Sequence, residues 1–193
     1  GIRDLVRSRG LGDVYKRQLF REHFQFFGIH PRDTSSLKGI FLTTFMHGSF
    51  DHLVSNTLPL FLLTWLLGVF YKRIWISVWL LITITGGLLV WLFARAYTEG
   101  IATYHIGASL TIFALIGFFL ASGIFRKEFK AILLAVLVGI LYGGALFGIL
   151  PSDPRVSWEG HLFGFIAGFL WAYIFRKVKN EKEQKVLPDE SIT

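Results

Sequence analysis

The stretch Ile74-Trp75-Ile76-Ser77-Val78-Trp79-Leu80-Leu81-Ile82-Thr83-Ile84-Thr85-Gly86-Gly87-Leu88-Leu89-Val90-Trp91-Leu92-Phe93-Ala94 runs for 21 residues without a charge. About 20 apolar residues carry a helix across the hydrocarbon core of a bilayer. Four further stretches are of the same kind: Leu53–Tyr71, Gly107–Phe125, Ala131–Leu150 and Val156–Phe175, the last with only Glu159 charged. A backbone in lipid must satisfy its own hydrogen bonds, so all five are expected to be helices. The fold class expected is therefore all-α, a polytopic transmembrane helix bundle.

Composition agrees. The 193 residues are 53% hydrophobic and only 17% charged, with mean hydropathy +0.53. Soluble domains carry about a quarter charged residues, so a disordered chain and an ordinary soluble enzyme are both poor fits. The net charge is +7, from 20 basic and 13 acidic residues. The basic residues sit between apolar runs, which points to membrane loops and away from nucleic acid. There is no cysteine, so disulfides and thiolate-bound metal are excluded.

The loops alternate. Lys72-Arg73, Arg126-Lys127-Glu128-Lys130 and Arg176-Lys177-Lys179 follow the first, third and fifth stretches. The connectors around Arg95–His105 and Pro151–Arg155 carry little positive charge. The positive-inside rule places the three clusters in the cytoplasm. The first stretch then enters from the outer side, which implies a further helix upstream, six in all. Residues 1–18 contain Arg7-Ser8-Arg9-Gly10-Leu11-Gly12-Asp13-Val14-Tyr15-Lys16-Arg17-Gln18. That run resembles a translated sequencing adapter and is set aside from fold reasoning; native sequence upstream of Leu19 is then expected to be missing. Residues 19–46 are Phe-rich but interrupted by Arg21, Glu22 and His23, and read as an interfacial segment. Residues 47–176 form the membrane domain, and 177–193 a polar cytoplasmic tail.

Ionisable groups inside apolar spans usually mark function. Three polar clusters stand out at the outer ends of alternate stretches: His47-Gly48-Ser49-Phe50-Asp51-His52 with Asn56; His105-Ile106-Gly107-Ala108-Ser109; and Trp158-Glu159-Gly160-His161 with Gly164 and Gly168. Ser49 is a candidate N-cap, and His52 and Asn56 then share a helix face. Gly164 and Gly168 form a small-xxx-small face that lets two helices approach closely. Close packing against the Gly107–Ser109 start would bring His161 to Ser109. A serine hydroxyl needs a base before it attacks a carbonyl, and His161 is a suitable one. The resulting oxyanion needs fixed donors: the Asn56 amide, the His52 ring and the Ser109 backbone N–H. Glu159 points elsewhere in this reading, so a Ser–His dyad suffices.

His47-x4-His52-x3-Asn56, Gly107-x-Ser109 and His161-x2-Gly164-x3-Gly168, on alternate spans, resemble the rhomboid intramembrane serine proteases. The resemblance runs from about Phe27 to Phe175. It implies Ser109 as nucleophile and His161 as general base. It places His52, Asn56 and Ser109 at the oxyanion hole, and His47 in a supporting role. The absent helix would be the family's first, and residues before the first span would match its L1 loop. Expected partners are transmembrane protein substrates and the lipid bilayer, with no nucleic acid, no cofactor and no metal. The expected location is a bacterial inner (cytoplasmic) membrane with the active site toward its outer side. The family has glycine after the nucleophile where this chain has Leu110, whose side chain either crowds the helix contact or points to lipid. His105 reads as an interfacial loop residue, and His23 and His30 as exposed.

Two other functions fit parts of the pattern. One is a catalytically inactive rhomboid-like protein that binds transmembrane clients, for which Ser109 and His161 are dispensable. The other is a metal or proton transporter lined by His47, His52, His105, His161 and Glu159, although the spans lack acidic partners and paired broken helices.

Overall fold

The computed structural model describes residues 27–151 and 156–178. The adapter-like stretch 1–18, His23 and the tail from residue 179 lie outside the described residues.

Among the described residues, five of the six α-helices follow the five apolar stretches. The sixth, α1 (Gly39–Leu42), is a single turn between 3-10 turns at Thr34–Ser36 and Thr43–Phe45. Helix α2 spans Phe50–Phe70, α3 Trp75–Phe93, α4 Ser109–Arg126, α5 Phe129–Tyr142 and α6 Trp158–Ile174. Ser49 does cap α2: its side-chain oxygen accepts from the His52 N–H at 3.1 Å. Asp51 in that first turn complements the helix dipole. By length and composition α2, α3, α4 and the run Phe129–Ile149 can cross a membrane, while α6 is 17 residues long. The result is an all-α transmembrane bundle.

Two local features depart from the sequence expectation. The fourth stretch is α-helical only to Tyr142 and continues as a 3-10 turn, Gly143–Ile149; Gly143 and Gly144 weaken helix propensity there. The connector after α3 forms a small hairpin, β1 (Tyr97–Thr98) with β2 (Ile101–Ala102). Its turn residues Glu99 and Gly100 both have positive φ, as the tightest hairpin turns require.

Helix α4 is the axis and packs against α2, α3, α5 and α6. Leu115, Ile116, Phe118 and Phe119 on it are fully buried. Its closest partner is α6. A Cβ on Gly164 would meet the Leu110 carbonyl, and one on Gly168 the Ala114 carbonyl. Gly117 on α4 faces the Phe165 carbonyl in the same way. In lipid, helices gain little from hydrophobic burial against one another, so close packing of this kind carries the association.

Leu110 does not point to lipid. Its side chain is buried and turns toward α3, where its Cδ2 lies 3.0 Å from the position a Gly86 Cβ would take. Glycine on α3 therefore makes room for leucine on α4, where Phe163 of α6 packs against the same cluster. At the opposite end of the bundle, Arg126 donates to the carbonyls of Phe175 and Val178 at 2.8 and 3.0 Å. Its guanidinium lies over the Tyr71 ring. One loop-cluster arginine thus ties together the ends of α2, α4 and α6.

Candidate active site

Ser109 is the first residue of α4. Gly107, two residues earlier, has φ +116°, a conformation that side-chain-bearing residues rarely adopt. A Cβ there would also lie 2.7 Å from His52 Cε1 and 3.0 Å from His52 Nε2, with Ser109 Oγ 3.7 Å away. Gly107 therefore lets the His52 ring and the Ser109 hydroxyl share one space. The Gly107 N–H donates to Thr43 O at 3.0 Å, which fixes the approach to α4.

His47 stands beside His52, ring centroids 5.2 Å apart and nearly perpendicular. The Ala108 N–H points to His47 Nε2 at 3.4 Å. Burial pulls the His47 imidazole below its ordinary value, which favours the neutral ring that can accept this contact. Asn56 is buried, and its side-chain nitrogen donates to the His52 carbonyl at 2.9 Å. One of its two N–H donors is thus used within α2, leaving the other. Asn56, His47 and Ala108 line the upper part of an open groove of about 650 Å³ that descends between α2 and α3 to Trp75 and Trp79.

His161 lies in the first turn of α6. Its ring stacks on Phe113, centroids 4.1 Å apart and planes 4° apart. Phe113 is one turn after Ser109 on the same face of α4, so the stack holds the imidazole on the serine's face. His161 Nδ1 is 2.9 Å from the Gly148 carbonyl. A carbonyl only accepts, so Nδ1 carries the proton and Nε2 is left as the acceptor. Ser109 and His161 are not hydrogen-bonded to each other. Catalytic hydrogen bonds are often long before substrate arrives.

Glu159 is buried, with one carboxylate oxygen 3.1 Å from Arg95 Nε. Arg95 also donates to the Val156 carbonyl at 3.0 Å. His105 is 3% exposed, not an interfacial loop residue. Its Nε2 donates to Arg95 O at 3.1 Å, and its Nδ1 lies 2.6 Å from Ser157 Oγ. Its backbone bridges Ile29, and its carbonyl accepts from Thr43 Oγ1 at 2.9 Å. The segment before α1, the loop before α4 and the start of α6 thus meet on this residue. Burial holds its imidazole below the ordinary range, with Glu159 opposing. His30 is half-buried rather than exposed, with Nδ1 donating to Thr103 O at 2.9 Å.

Phe113, Gly148 and the Arg95–Glu159 pair were missed in the sequence. Phe113 was within reach, since it falls four residues after a candidate nucleophile. Gly148 and the ion pair depend on how distant segments pack. Among the described residues no group of three His, Cys, Asp or Glu is arranged to hold a metal ion.

The model of the Rhomboid domain matches residues 34–178. An uncharacterized protein of Mycobacterium tuberculosis is 36% identical over 152 residues, covering 76% of this chain and 62% of that protein. One of Mycobacterium leprae is 35% identical over 175 residues, 86% of this chain and 68% of the relative. A Bacillus subtilis protein named "Putative rhomboid protease YdcA" is 27% identical over 139 residues, 71% and 66% of the two chains. The chain thus spans less than two thirds of the length of the Mycobacterium tuberculosis relative. No solved structure matches it. The chain belongs to the rhomboid family.

Proposed function

We propose that the protein is an intramembrane serine endopeptidase that cuts peptide bonds in or near transmembrane segments of other membrane proteins. What carries this reading is the placement of His161: its Nδ1 faces Gly148 O, a contact that calls for the proton on Nδ1 and leaves Nε2 as the base, on the α4 face that bears Ser109. In the reaction the Ser109 hydroxyl proton passes to His161 Nε2 as Oγ bonds to the substrate carbonyl carbon. The oxyanion is held by the Ser109 N–H at the helix start, by His52 and by the remaining Asn56 N–H. As the C–N bond breaks, His161 returns the proton to the leaving amine. Water then hydrolyses the acyl-serine by the same relay. His47 supports the turn through Ala108, while Gly107, Gly164 and Gly168 allow the close approaches that bring the groups together.

The basic clusters at the ends of α2, α4 and α6 support an orientation with the site end outward, and a bacterial inner membrane is the location this reading takes from the family resemblance. A client-binding protein without cleavage is the second reading, favoured by the missing Ser109–His161 hydrogen bond. Co-reconstitution in proteoliposomes with a panel of single-span reporter proteins separates the two. The protease reading expects cleavage that is lost in Ser109→Ala and in His161→Ala. Reporter binding with no cleavage by any form would favour the second.

A further inference from the structure

We propose that the main-chain carbonyl of Gly148 is the group that orients His161, in the place where a three-residue relay would put a carboxylate. This inference rests on the reading of His161 as the base and adds the source of its tautomer. Two contacts fix the ring: the Phe113 stack fixes its plane, and the hydrogen bond to Gly148 O fixes which nitrogen carries the proton. No carboxylate hydrogen-bonds His161 among the described residues. The nearest acid along the chain, Glu159, is engaged by Arg95.

Residue 148 must be small for the contact to form. A Cβ there would lie 3.1 Å from His161 Nδ1 and 3.3 Å from Phe113 Cζ. Glycine brings the backbone up to the imidazole edge; a methyl there would press on both rings and force them to shift by a few tenths of an ångström. The carbonyl also sits on an exposed element. It belongs to the 3-10 turn Gly143–Ile149, which buries no residue of its own and ends a run with 11% of its length buried in the protein. Free imidazole samples both neutral tautomers, and the partner of one nitrogen decides between them. The 3-10 turn therefore sets the state of the base: in place, it leaves Nε2 able to accept from Ser109; displaced, it allows the proton onto Nε2.

Nitrogen NMR of the full chain, labelled with ¹⁵N-histidine in detergent micelles at pH 8, tests this. The His161 signals are assigned by their loss in His161→Gln. We expect a protonated Nδ1 and an unprotonated Nε2; the opposite tautomer, or an averaged mixture, would overturn the proposal. Gly148→Ala should shift the signals to a mixture and lower kcat by roughly 100-fold with KM little changed. Gly139→Ala, outside the turn and meeting only the tip of Leu120 at 3.7 Å, should leave both unchanged. If Gly148→Ala fails to fold, an amide-to-ester replacement at Ile149 weakens the same carbonyl without adding an atom. That variant must show the tautomer shift, and its absence would contradict the proposal. The tautomer is read without substrate, so an inactive protein with the expected tautomer would remove the protease reading and leave this one. An active protein indifferent to both changes would do the reverse.

Discussion

The seam between α4 and α6 and the flank made by α2 and α5 are built by opposite rules. Two thirds of the α4 span is buried (67%), against 17% for α2 and 11% for the run from α5. In the seam, glycines meet backbone carbonyls with no side chain between. On the flank, Gly68 of α2 has nothing within 4 Å, and Gly139 of α5 meets only the tip of Leu120 at 3.7 Å. The proposed nucleophile and base stand on the two tightly packed helices. The groups that assist them, His52 and Asn56 on α2 and the Gly148 carbonyl beyond α5, stand on the loose ones. Under the proposed protease reading, separation of this kind would let the reacting pair keep its spacing while a substrate helix enters by the sparsely packed flank.

The comparison breaks most visibly at Gly168. Gly168→Val would drive a branched side chain into the Ala114 carbonyl. We expect a loss of at least about 3 kcal/mol or no folded protein, read by thermal unfolding in detergent. Gly68→Ala on the flank should be near neutral in the same assay. If both behave alike, the contrast between seam and flank is wrong.

His52→Ala sharpens it from the other side. A donor on a loose helix should matter to chemistry more than to folding. We expect roughly 100-fold lower kcat on a cleaved reporter with little change in thermal midpoint. Leu110→Gly reverses that pattern. It restores the glycine common in the family but empties the space against Gly86, so a stability loss of about 2 kcal/mol or more is expected. A stabilised variant would show that leucine is strained there.

A smaller effect comes from pH. His105 and His47 are both held below their ordinary values, chiefly by burial. The unfolded chain takes up protons near pH ~6.5, where the folded chain resists them. Stability should therefore be full above that pH and fall as the solution is acidified below it. His105→Gln should flatten the part of the decline due to that residue, as measured by unfolding at pH 8, 6.5 and 5.5. Least of all, Ile140→Ala on the outward face of α5, where Ile140 is 77% exposed, should change neither stability nor activity measurably.

Hydropathy made the helices legible. The charge-free run from Ile74 to Ala94 differs from α3 by one residue at each end, and Ser49 announced the start of α2 by its capping chemistry. The family motifs were legible too, because they lie in local spacings such as His47-x4-His52 and Gly164-x3-Gly168. What stayed hidden depends on distant segments meeting. The fit of Leu110 to Gly86, the burial of His105 between Arg95 and Ser157, and the carbonyl of Gly148 at His161 each join residues 10 or more apart. No period or motif marks such pairs. The end of α5 at Tyr142 was missed for another reason: hydropathy reports apolar length and is blind to the change from α-helix to 3-10 turn.

The account stands most directly on an activated serine at the start of α4. Detergent-solubilised protein treated with a fluorophosphonate serine probe should be labelled at Ser109. Ser109→Ala should abolish the labelling, and His161→Ala should reduce it severely. Unchanged labelling in Ser109→Ala, or none in a folded wild type, would contradict the account and favour a rhomboid that binds membrane helices without cutting them.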